Sequence, residues 1–167
     1  MKNRYQTDYT MKKFEIKVPV DVASFDELSE MEQRLVVMAR EATHRSYAPY
    51  SHFCVGAAIL LDGEQIVTGS NQENVAYPSG TCAERTACFY AHAQYPDSRF
   101  KMIVIAARGT DGEFVENPVA PCGACRQALL EYETLAGHDV KVILCGKDKF
   151  YILPSVKSLL PLAFVEF

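Results

Sequence analysis

Cys122-Gly-Ala-Cys125 places two thiols three residues apart at the start of a segment with helical periodicity. Residues at that spacing share one helix face, so both sulfurs can converge on a single atom. A C-x-x-C pair alone fits half of a structural zinc site, a redox pair, or two thiols packed in a core. The redox reading needs a thioredoxin-like context, and no early strand leads into this motif. Forty positions earlier, Thr81-Cys82-Ala-Glu84-Arg85 opens a second helical segment with another cysteine. Three thiolates from two helix starts give zinc three protein ligands and leave one position open, the mark of a catalytic site. A water in that position has its pKa lowered from about 16 to about 7.

Three thiolates and a hydroxide leave such a centre formally dianionic, so the surroundings must supply positive charge. Helix N-termini contribute partial positive charge and N–H donors. Arg85 can donate to thiolate sulfur and reduce its electron donation to the metal; a lone arginine is more often half of a surface ion pair. Glu84, two residues after Cys82, is by default a first-turn carboxylate complementing the helix dipole. Beside an activated water it can instead carry protons. In zinc-dependent base deaminases a glutamate that does not bind the metal does this work, and the ligands are His-Cys-Cys or three cysteines. Cys54, Cys88 and Cys145 lie in apolar runs and read as small buried hydrophobes, although Cys88 is a conceivable fourth ligand nearly two turns beyond Cys82. None of His44, His52, His92 or His138 falls at ligand-like spacing.

The elements that must position these groups follow from periodicity. Phe14-Glu-Ile-Lys-Val-Pro-Val alternates as a strand does, either packed on the domain or as an arm reaching a partner subunit. Ser24 with Glu27 fits a capping box, and Leu28, Met31, Leu35 and Met38 recur at helical spacing until Pro49. Residues 55–61 read as a buried strand, joined through the turn signal Asp62-Gly63 to a second at 65–69. Helices are expected at 81–95 and 123–134, strands at 102–107 and 140–145, an extended piece at 150–153, and a helical turn at 155–160. A hairpin followed by alternating helices and strands indicates an α/β fold with a mixed sheet flanked by helices.

A chain of 167 residues, 49% hydrophobic and 23% charged, is expected to fold as one domain, 24–167, behind an N-terminal extension, 1–23. The apolar runs are too short to span a bilayer and the first residues lack the core of a secretion signal, so a cytoplasmic location is expected. Six cysteines then point to metal or catalysis rather than disulfides. A net charge of −4 disfavours nucleic acid as a partner.

With Thr81-Cys-Ala-Glu-Arg and Pro121-Cys-Gly-Ala-Cys-Arg-Gln in view, the chain closely resembles the small homotetrameric cytidine deaminases, from about Leu28 to Phe164. The resemblance implies their three-layer fold, one Zn²⁺ per subunit on Cys82, Cys122 and Cys125, and Glu84 as the catalytic acid and base. Tyr47-Ala-Pro-Tyr-Ser-His-Phe53 is similar to the stretch whose phenylalanine packs on the pyrimidine. Asn71-Gln-Glu73-Asn is similar to the segment whose asparagine and glutamate bind ribose hydroxyls, and the N–H of Ala83 is placed to hold the pyrimidine O2. Leu159-Leu-Pro-Leu-Ala-Phe164 resembles a C-terminal segment whose ring reaches a site across the tetramer; Phe164, with Tyr77, is assigned that role. Without the resemblance, Phe53 and Phe164 read as core and Asn71 and Glu73 as turn residues. Gln72 replaces the usual valine, Pro78 the common glycine, and the N-terminal extension is longer than usual. Three rivals are a deaminase of another aminopyrimidine nucleoside such as a cytosine-containing antibiotic, an editor of RNA or DNA, and a structural zinc module.

Overall fold

The computed structural model describes residues 11–165. Its frame is one six-stranded sheet in the order β1-β6-β5-β4-β2-β3, built from β1 (Asp21–Ala23), β2 (Phe53–Leu61), β3 (Ile66–Ser70), β4 (Phe100–Gly109), β5 (Lys141–Cys145) and β6 (Phe150–Leu153). Strands β4 and β5 are parallel and all other neighbours antiparallel. Such a sheet must be covered on both faces, because β2, β4 and β5 are apolar at nearly every position. Alternation sorts their side chains into two cores. Ala57, Ile59, Ile103, Ile105, Val142 and Leu144 meet α2 (Ala83–Gln94) and α3 (Gly123–Ala136) on one face. Ala58, Leu60, Val104, Ala106, Ile143 and Cys145 meet α1 (Glu30–Ala42) on the other. The result is the expected three-layer α/β arrangement. Among the described residues, no helix is long and apolar enough to cross a membrane.

Two expectations change at the N-terminal end. Residues 14–20 do not form a strand; pairing begins only at Asp21, opposite Ile152, and ends at Ala23, opposite Phe150. A strand needs an edge to bond to, and β6 stops at Leu153. The last three residues of the expected extension thus join the sheet, while residues 1–10 lie outside the described residues. The Ser24–Glu27 capping box does form, but it opens a 3-10 turn at Phe25–Glu27. The α-helix starts at Glu30 behind a second capping box, Ser29 with Glu32.

The β2–β3 connection is longer than a two-residue turn. Leu61 O accepts from Glu64 N–H at 3.1 Å and Leu61 N–H donates to Gln65 O at 2.9 Å. The left-handed residue is Glu64, at φ 64°, rather than Gly63. Gly69 matters more for function, since β3 and α2 nearly touch there. A Cβ at position 69 would lie 2.7 Å from Ala83 O, which is backbone in the first turn of α2. Gly69→Ala is therefore expected to destabilise the protein by about 1–3 kcal/mol and to displace the turn that carries Cys82 and Glu84. Urea unfolding checks this, and an unchanged midpoint would contradict the close approach.

Candidate metal centre

Two helices start at cysteines. Cys82 is the N-cap of α2 and Cys122 the N-cap of α3, both in extended conformation, and neither side chain caps its helix. Cysteine is not among the preferred capping residues, which carry oxygen acceptors, and α1 uses Ser29 instead. Poor caps at both helices leave their first-turn N–H groups and positive dipole ends beside sulfur, where thiolates are stabilised. The chain brings these starts together by backbone pairing. After β3, Gln72 and Thr81 exchange two hydrogen bonds of 2.9 Å, which sets Cys82 next to the 71–73 segment. Arg126 Nε donates to Pro121 O at 2.8 Å and fixes the turn before Cys122.

The three sulfurs lie within 4.8 Å of one another. Cys82 and Cys122 Sγ are 3.9 Å apart, and Cys122 and Cys125 Sγ 3.5 Å. Zinc–sulfur bonds of about 2.3 Å in a tetrahedron demand sulfur separations of about 3.8 Å, so the donor set fits zinc. Protonation argues the same way. The Cys82 thiol is lowered to about 5, first by a hydrogen bond from Cys125 and then by Arg85. Cys125 is pushed upward by the same shared proton and by burial. Close thiolates cannot all ionise without a cation between them. Arg85 Nη2 lies 3.8 Å from Cys82 Sγ and supplies part of the neutralising charge. Cys88, the conceivable fourth ligand, is fully buried, donates to Arg85 O at 3.6 Å, and is pushed up to about 12 by burial. It stays a thiol outside the cluster. Cys54 and Cys145 are likewise buried, and among the described residues no histidine joins the three cysteines.

Glu84 sits one residue into α2 and is only 4% exposed. Burial first, and then the Cys82 charge, hold its carboxyl above the ordinary range. It lines a cleft of about 270 Å³ together with Phe53, Asn71, Cys82 and Cys122. A wider cleft of about 450 Å³ adjoins it, sharing Asn71 and Cys82 and bounded by Tyr50, Glu73, Tyr77 and Arg85. Ala83 is buried as the first residue of α2, where backbone N–H groups have no partner within the helix. Glu73 is anchored: its Oε2 accepts from Tyr50 N–H at 2.8 Å and Ser51 N–H at 3.2 Å. Gln72 turns its amide to Arg45 O and Ser70 Oγ.

The sequence-derived site residues thus converge within one chain, Tyr77 among them, and Phe164 is the exception. Tyr77 lines its own chain's wider cleft, edge-on to Tyr50 at 5.9 Å, and Pro78 lies in the same 3-10 turn. Phe164 lines neither cleft; its carbonyl accepts from Gln127 Nε2 at 2.9 Å. Sequence reading missed Arg126, whose Nη1 also donates to Leu159 O at 2.7 Å. It thereby joins the turn before Cys122 to the C-terminal segment. Its place beside Cys125 in the motif was the available signal.

Three cysteine sulfurs within 4.8 Å of one another, beside a buried carboxyl two residues after Cys82, form a cluster of the kind that holds zinc. The family model for the cytidine and deoxycytidylate deaminase zinc-binding region matches residues 29–136. A cytidine deaminase of Halalkalibacterium halodurans is 39% identical over 132 residues, covering 79% of this chain and 92% of that protein. A probable cytidine deaminase of Dictyostelium discoideum is 35% identical over 134 residues, covering 80% and 84%. The crystal structure of cytidine deaminase from Burkholderia pseudomallei superimposes with a TM-score of 0.66 at 34% identity, over 82% of this chain and 100% of that one. The chain belongs to the cytidine and deoxycytidylate deaminase family.

Proposed function

We propose that the protein hydrolyses cytidine and 2′-deoxycytidine to uridine and 2′-deoxyuridine with release of ammonia, a step of pyrimidine salvage. One observation carries this reading: a buried non-ligand carboxylate, Glu84, shares a cleft with two of three converging zinc-ligand thiols and with Phe53. Zinc, one per chain on Cys82, Cys122 and Cys125, supplies hydroxide at neutral pH when bound. Phe53 stacks on the base, and the Ala83 N–H donates to O2. Asn71 and the anchored Glu73 take the ribose hydroxyls. Glu84 removes a proton from the attacking water and delivers it to N3, which leaves C4 open to addition. The same carboxyl then takes the proton of the new C4 hydroxyl and delivers it to the exocyclic amine, so that the C4–N bond breaks, ammonia departs and the C4 carbonyl forms. Arg85 offsets thiolate charge throughout. The family resemblance supports a homotetramer in which Phe164 and Tyr77 meet neighbouring sites.

A phosphate would enter beside the Glu73 carboxylate, which repels it. A bare base would leave the sugar-binding groups unpaired. Loss of ultraviolet absorbance with cytidine, deoxycytidine, CMP and cytosine tests both points, with ammonia and zinc measured alongside. Both nucleosides are expected to exceed CMP and cytosine in kcat/KM by about a hundredfold or more. Turnover of CMP alone would move the substrate to nucleotides. Failure of all four by zinc-loaded protein would favour another aminopyrimidine or a structural zinc module.

A further inference from the structure

Strand β3 ends at Ser70, opposite Gly56, whereas β2 runs on towards the cleft to Phe53. Beyond that point the backbone of Asn71 makes one more rung, its N–H reaching Val55 O at 3.2 Å, while its carbonyl turns to Tyr47 N–H. The next rungs are made by the Asn71 side chain. Its Oδ1 accepts from Val55 N–H at 2.8 Å, and its Nδ2 donates to Phe53 O at 2.9 Å. A side-chain amide carries the same donor and acceptor as a peptide link, so it can stand in for the departed strand. Aspartate lacks the donor, and a hydroxyl cannot span both groups. The residue before Phe53 adds a reason for the clamp. His52 has φ 55°, a left-handed conformation that costs energy away from glycine and persists only where its surroundings hold it.

We infer that Asn71 is a positioning residue for Phe53: its amide completes the β2 edge and fixes where the aromatic ring meets the base. This deepens the deaminase reading and rests on it for the role of Phe53. The amide retains one N–H and one lone pair beyond the clamp, so a sugar hydroxyl can share it. The clamp and the sugar contact nevertheless differ in what their loss does.

The test compares kcat/KM on cytidine and on 3′-deoxycytidine, which lacks one hydroxyl, for wild type, Asn71→Ala, Asn71→Asp, Phe53→Ala and the Asn71→Ala/Phe53→Ala double variant. Asn71→Ala is expected to lose about a hundredfold on 3′-deoxycytidine, where the misplaced ring is the handicap, and at least as much on cytidine, where a sugar contact is lost as well. Asn71→Asp, which can still accept from a hydroxyl but cannot donate to Phe53 O, is expected to lose activity too. With Phe53 already alanine, removing Asn71 is expected to cost no more than about threefold on 3′-deoxycytidine, the substrate on which the double variant is judged. A loss that vanishes with 3′-deoxycytidine, an unimpaired Asn71→Asp, or losses that multiply in the double variant would each overturn the inference. Hydrogen exchange at the Val55 amide provides a readout independent of turnover. Exchange is expected to be slow in wild type and fast in Asn71→Ala; equal rates would contradict the clamp. A wild type inactive on cytidine would defeat the functional reading instead, with the Val55 amide still reporting on the clamp.

Discussion

Glu84→Gln is expected to keep the fold and the full zinc content while kcat on cytidine falls by about 10⁴-fold. Glutamine matches the carboxylate in shape, so the 4% exposed site, in the cleft that Phe53 also lines, is neither emptied nor overfilled. What disappears is a group able to take up and release a proton near neutral pH. The proposed reaction needs that group four times: to accept from water, to donate to N3, to accept from the C4 hydroxyl, and to donate to the leaving amine. Burial already raises the Glu84 carboxyl, which brings its proton affinity closer to that of its partners at neutral pH. Steady-state kinetics with metal analysis of the same sample check the prediction. Near-normal turnover by a zinc-loaded variant would show that the proton carrier is another group.

Cys125→Ala is expected to remove zinc and activity together, while Cys88→Ala leaves both in place. Both thiols are fully buried, so apolar burial alone predicts similar costs for the two. Their neighbours separate them. Cys125 Sγ is 3.5 Å from Cys122 Sγ in the three-sulfur cluster, whereas Cys88 faces Arg85 O one turn further into α2. A site reduced to two thiolates cannot hold zinc in competition with water and buffer, and activity should drop by about 10³-fold or more. Cys88→Ala loses only a small packed sulfur, about 1 kcal/mol of stability. Zinc retained by Cys125→Ala, or lost from Cys88→Ala, would mean that the ligand set has been drawn wrongly.

Much of the fold is legible in the residues because the local and global patterns agree. The near-continuous apolar runs of β2, β4 and β5 mark both faces as buried, and the two cores confirm it. The strand order is not legible: β1 lies beside β6, a pairing between the two ends of the chain that no local pattern specifies. Residues 14–20 show the converse, a strand-like alternation that finds no edge beyond Leu153. The helix start was misplaced because two capping boxes follow one another, and only the second is followed by α-helical hydrogen bonding. In the site, the convergence of Cys82, Cys122 and Cys125 is readable because ligand chemistry permits few spacings, and Glu84 follows from its place two residues after Cys82. The clamp formed by Asn71 and the tie formed by Arg126 were not, since each depends on carbonyls and amides brought close only by the folded backbone.

Zinc titration of the metal-free protein, with cytidine turnover followed at each addition, asks whether a single zinc on the three cysteines drives deamination. Turnover is expected to rise from baseline in proportion to zinc and to stop rising at one equivalent per chain. Full turnover by zinc-free protein would contradict it, as would one tightly bound equivalent that brings no turnover of cytidine or deoxycytidine.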